Sequence, residues 1–174
     1  MSAKKHISFS ELKDWKLCPF YHNLAWIKKL SSFEGNEYTA FGTAIHDTCE
    51  KKLLEKGFDE KEHFLTSFKK TLQILENKSV VIDTSLIEKM VEQGVGLLPE
   101  IEPAVKEYFQ EFEVVSTEEQ LYEPIEGADG LCFKGFIDAV IKTPDGKYHI
   151  IDWKTCSWGW DARKRQDPMV TYQL

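Results

Sequence analysis

Asp152 and Lys154 stand two residues apart in Tyr148–Thr155, YHIIDWKT, a run that otherwise reads as a buried β-strand. Alternation puts both side chains on one strand face. A carboxylate beside an ammonium can hold a cation and orient a water or a phosphate oxygen against it. A second carboxylate belongs with them. Thr143-Pro144-Asp145-Gly146 reads as a type I turn followed by a left-handed glycine, the common three-residue hairpin loop. In that register Thr143 faces Lys147, and counting back along both strands brings Asp138 directly opposite Asp152. A two-residue loop would shift the pairing by one and lose the alignment.

Facing carboxylates repel, and burial raises the cost. Both could face water, or Lys154 could pair with one of them. Either solution leaves one aspartate unexplained inside an apolar hairpin. A divalent cation explains both, because Mg2+ and Mn2+ take hard oxygen ligands, usually one or two carboxylates with waters and a substrate phosphate.

The elements that must position these residues differ along the chain. The first two-thirds reads helical. Ser8 with Glu11 three residues on is a capping-box pattern, Pro19 interrupts, and FYHNLAWIKKL resumes a helical period. From about Tyr38 to Lys56, Phe41, Ile45, Thr48, Cys49 and Leu53 fall on one stripe, with Gly57 as a C-cap. Asp59 caps a helix carrying Phe64, Phe68, Leu72 and Leu75. Leu86, Met90, Val91 and Leu97 predict another, stopped near Pro99, and AVKEYFQEF a short further one. After about Glu113 the chain turns β-rich: EVVSTEEQLYEPI, then LCFKGFIDAVIK and KYHIIDWKT around the turn. This predicts an α/β (α+β-like) domain with a helical front and a sheet behind it.

The ordered set GFID…IIDWKT resembles the PD-(D/E)XK nuclease superfamily, and within it the RecB-like exonuclease branch, which includes phage recombination and CRISPR-associated nucleases. Ile137 stands where the superfamily's namesake proline would be, a substitution common in that branch. FGTAIH, Phe41 to His46, resembles the branch's G-x-x-x-H helix motif, and SFSELKDWKLCPFYHNL its N-terminal signature. Alone, His46 reads as a partly buried structural histidine; beside Asp138 and Asp152 it reads as a ligand.

The resemblance implies a single nuclease domain over residues 1–174, with a small mixed sheet of the restriction-endonuclease-like core. It implies a metal-dependent DNA nuclease, an exonuclease at linear or single-stranded DNA ends in recombination, repair or phage DNA processing. His46, Asp138, Asp152 and the Trp153 carbonyl would bind Mg2+ or Mn2+, and Lys154 would assist the attack of water on a phosphodiester. Glu119 lies near an acidic position of many relatives, and reads equally as a solvated charge in STEEQ. Cys18 fits the early cysteine of relatives with an iron–sulfur cluster, but their late cysteines are absent, so no cluster is expected. In WGWDARKRQ, Trp158 and Trp160 offer stacking faces and Arg163, Lys164 and Arg165 phosphate contacts; a solvated helix start with two core tryptophans is the alternative. The branch continues with Q-x-x-x-Y; Gln173 matches its glutamine, and the expected core lacks its C-terminal end. A homo-oligomer or a complementing C-terminal polypeptide would complete it. The alternatives are a non-catalytic DNA-binding or scaffold subunit with an incomplete nuclease fold, and a plain α+β binding domain.

Composition narrows the class. The net charge of −7 argues against coating nucleic acid through a generally basic surface and leaves room for a local groove. No apolar run approaches the roughly 20 residues of a membrane span, and the N-terminus has no apolar signal region. Cys18, Cys49, Cys132 and Cys156 are scattered, without CxxC, as in reduced cytosolic proteins. A cytoplasmic protein of a bacterial or phage-infected cell, with no membrane partner, is expected.

Overall fold

The computed structural model describes residues 6–30, 33–156, 166 and 168. The chain divides into two compact units, residues 1–33, 118–137 and 156–174 in one and 34–117 and 138–155 in the other.

In the first unit, β1 (His6–Ser8) pairs in parallel with β3 (Cys132–Lys142), Ile7 against Phe133. Three residues of strand were too short to carry a period, and β1 was not expected. Ser8 leaves the strand extended, and its Oγ accepts the Glu11 N–H to start α1 (Phe9–Leu17). Pro19 opens α2 (Pro19–His22), where its missing N–H costs nothing. A π-helical turn, Asn23–Ile27, follows directly. His22 Nε2 meets Glu11 Oε1 at 2.9 Å, and the Trp26 indole donates to Asp14 Oδ2 at 2.8 Å, so polar groups hold this helical hairpin closed.

The second unit is built on three helices. Asn36 and Thr39 form a reciprocal capping box for α3 (Glu37–Leu54); Asp59 caps α4 (Glu60–Asn77) and Asp83 caps α5 (Thr84–Phe109). The expected stripes meet in one core: Phe41 stands edge-on to Phe64 and Phe68, which stack on each other at 5.7 Å. Two expectations are corrected here. The helix does not stop at Pro99 but runs through Pro99 and Pro103, absorbing the segment read as a separate short helix. Its buried positions include Met90, Gly94, Leu98 and Val105, and Leu97 is exposed instead. Prolines break isolated helices by removing donors. Here Lys52 of α3, only 7% exposed, donates to the Leu98 carbonyl at 2.7 Å and to Glu60 of α4 at 2.9 Å. Three helices are tied at the kink-prone turn, and packing overrides propensity. α3 also ends at Leu54, with Glu55 rather than Gly57 as its cap.

β2 (Glu113–Pro124), β3 and β4 (Tyr148–Ile151) complete a four-stranded sheet in the order β1-β3-β2, with β4 also on β3. The fold is mixed α/β with a small mixed sheet, parallel at β1–β3 and antiparallel at β3–β4, as expected. The hairpin register holds: Thr143 N–H donates to the Lys147 carbonyl, Gly146 takes φ +83°, and Ala139 faces Ile151. The strand itself is a correction. β4 ends at Ile151, before the D-x-K residues, and it is not buried, with Tyr148 63% and Ile150 44% exposed. None of the described helices is long and apolar enough to cross a membrane.

Candidate active site

Within the second unit α3 brings His46, β3 brings Asp138, and the segment leaving β4 brings Asp152, Trp153 and Lys154. On β3, Ala139 and Ile141 are wholly buried, so alternation turns Asp138 to the opposite face, where its side chain keeps 14% exposure. His46 Nδ1 lies 3.4 Å from Asp138 Oδ2. The same Oδ2 accepts the Trp153 backbone N–H at 2.7 Å. That bond explains where the strand ends: past Ile151 the backbone donor goes to a side chain instead of a ladder carbonyl.

Two contacts fix the segment after β4. Trp153 packs against the helical core. Thr155 lies so close to α3 that a Cβ on Gly42 would stand 3.2 Å from its Oγ1. Gly42 is the glycine of G-x-x-x-H, one turn before His46. Its missing side chain lets the D-x-K segment approach the helix that carries the histidine. Lys154 Nζ sits 2.5 Å from Asp152 Oδ1 and 3.4 Å from the Trp153 carbonyl. His46, Asp138, Trp153, Lys154 and Asp152 are thus linked by contiguous polar contacts.

The donors suit a hard divalent cation: two carboxylates, an imidazole and a carbonyl. The 3.4 Å between His46 and Asp138 is near the roughly 3 Å between neighbouring ligands that bonds of about 2.1 Å imply. The second carboxylate does not join them, since Asp152 is turned to Lys154. Among the described residues no group of three His, Cys, Asp or Glu side chains is arranged to hold an ion.

One turn along α3, Cys49 is 2% exposed, and burial pushes its thiol up to about 12, with the Lys52 ammonium opposing and the Asp138 carboxylate adding to the rise. It is a neutral packing group, not a nucleophile.

The family model of the PD-(D/E)XK nuclease superfamily matches residues 6–174. The chain belongs to that superfamily. Neither the curated proteins nor the solved structures yielded a match. Members of the PD-(D/E)XK superfamily are nucleases that generally use divalent ions such as Mg2+ or Mn2+.

Of the remaining expected residues, Glu119 is an exposed residue of β2. Trp158, Trp160, Arg163, Lys164, Arg165 and Gln173 lie outside the described residues. Sequence reasoning missed the Trp153 N–H bond to Asp138. The signal was available: Asp138 occupies the first hairpin position beyond the rung of Ala139 and Ile151, where a side-chain acceptor can replace a backbone one.

Proposed function

We propose that this superfamily member is a Mg2+- or Mn2+-dependent DNA nuclease of the RecB-like branch, a single cytoplasmic domain that digests linear DNA from its ends in recombination, repair or phage DNA processing. The observation that carries the reading is the shared Asp138 oxygen, 3.4 Å from His46 and bonded to the D-x-K segment through Trp153 N–H. His46, Asp138, Asp152 and the Trp153 carbonyl would hold the ion. When bound, it would polarise the phosphate and make water a stronger nucleophile at neutral pH.

The chain's own groups would do the rest. The Asp138 carboxylate, fixed by the Trp153 N–H, sets one edge of the site. Lys154, 35% exposed on its side chain, places an ammonium where charge grows on the phosphate oxygens. Its contact with Asp152 keeps it near that position before substrate arrives. Trp158, Trp160, Arg163, Lys164 and Arg165 would contact the DNA, with Glu119 and Gln173 as additional polar residues.

The test is cleavage of end-labelled linear and closed circular DNA with Mg2+, Mn2+ or EDTA. Loss of linear DNA alone, dependent on metal and reduced about a hundredfold or more in Lys154→Ala, is the expected result. Equal cleavage of closed circles would establish endonuclease action instead. Intact DNA with either metal would remove the catalytic reading.

A further inference from the structure

The helical hairpin of α1, α2 and the π-helical turn has its polar groups inside. Glu11, 4% exposed, meets His22, and Asp14 takes the Trp26 indole N–H. Large aromatic and aliphatic side chains are left outside: Trp15 is 52% exposed, Phe20 71% and Tyr21 46%, and Leu17 and Ile27 are exposed as well. Five large apolar side chains exposed on one short helical hairpin mark it as a candidate interaction site.

Charge selects the occupant. The chain carries −7 overall, yet between residues 12 and 30 it places Lys13, Lys16, Lys28 and Lys29 against the single acid Asp14, which is already bonded to Trp26. Lys13, Lys28 and Lys29 are all exposed. Exposed aromatic rings and an excess of exposed ammonium groups on one segment match bases and phosphates. A duplex hides its base faces, so the fitting ligand is an unpaired strand.

We propose that this face binds single-stranded DNA, with bases stacking on Trp15, Phe20 and Tyr21 and phosphates pairing with Lys13, Lys28 and Lys29. The choice of DNA rests on the nuclease reading; the stacking face and its lysines do not.

The experiment is fluorescence anisotropy of labelled oligothymidylate with the full chain in EDTA, so that no cleavage intervenes. Phe20→Ala with Tyr21→Ala is expected to weaken binding roughly tenfold or more. Lys28→Gln with Lys29→Gln is expected to lower the slope of log affinity against log salt by about 1.4, at ~0.7 per phosphate contact. All four positions are exposed, and thermal melts confirm folding. Wild-type chain without affinity for the strand, or unchanged binding in both variants, overturns the proposal. So does a dimer that the aromatic variant dissociates without loss of DNA affinity, which would assign the face to a second copy. Cleavage measured in parallel separates the two readings. Cleavage with unaltered variant binding defeats only this surface, while weakened variant binding without cleavage defeats only the nuclease.

Discussion

The Trp153 backbone N–H donates to Asp138 Oδ2 at 2.7 Å, one position beyond the last rung between β3 and β4. The bond does two things at once. It satisfies a donor that has left the ladder, and it fixes the carboxylate oxygen that stands 3.4 Å from His46. Strand termination and site geometry therefore share one interaction.

Asp138 substitutions should separate these roles. Asp138→Asn keeps an oxygen for the Trp153 N–H, so denaturant melts should show a stability change within about 1 kcal/mol. Metal-dependent cleavage should still fall by at least about a hundredfold, because the charge is gone. Asp138→Ala removes the acceptor as well and should cost about 1–3 kcal/mol. Equal stability in the two variants would show that the bond contributes nothing to the fold.

Gly42→Ala tests the close approach of Thr155. Alanine favours the helix by ~1 kcal/mol, and the obstructing Thr155 Oγ1, at 3.2 Å, belongs to an exposed residue that can give way. The melting temperature should hold or rise. Cleavage should fall roughly three- to tenfold, because a shift of a few tenths of an ångström carries Asp152 and Lys154 with it. Adding Thr155→Ala should restore the rate. A double variant as slow as the single one would place the defect elsewhere.

The sequence made the hairpin register legible because turn chemistry is local: Pro144, Asp145 and Gly146 dictate the loop, and the loop dictates the pairing. The caps at Ser8 and Asp59 and the stripe Phe41–Ile45–Cys49 are local in the same sense. What stayed hidden depends on partners far along the chain. Pro99 reads as a stop because nothing near it announces Lys52, 46 residues from Leu98. The exposure of Tyr148 and Ile150 could not be inferred from their apolar types. The end of β4 at Ile151 follows from Asp138, 15 residues before Trp153. His46 was named from motif order and Asp138 from the hairpin register, and only the tertiary fold supplies their distance.

Gly94 of α5 makes the opposite prediction to Gly42. A Cβ there would stand 2.3 Å from Phe64 Cζ, and Phe64 is 0% exposed in the centre of the core. The ring cannot move out, so Gly94→Ala should destabilise by about 1–3 kcal/mol despite the gain in helix propensity. Phe64→Leu in the same chain should recover part of that loss by making room. Urea melts of the two single variants and the double variant read the coupling; strict additivity would mean the two side chains do not compete for the same space.

Cys49 predicts an alkaline weakness. Its thiol is pushed from 9.0 to about 12, chiefly because burial disfavours the thiolate, against the Lys52 ammonium and with a smaller push from Asp138. The folded state therefore holds the proton more tightly than the unfolded chain. The contribution to stability is complete below about pH 9 and is lost as pH rises towards 12. At pH 10.5 the loss should reach about 2 kcal/mol. Cys49→Ala lacks the group, so its stability deficit relative to wild type should shrink by that amount between pH 8 and pH 10.5 in denaturant melts. The paired comparison cancels the tyrosines and lysines that titrate in both proteins. Iodoacetamide at pH 8 offers a second readout: exposed Cys156 should be modified rapidly and Cys49 protected until the chain unfolds. A deficit that stays constant with pH would mean that the thiol ionises as freely in the fold as outside it.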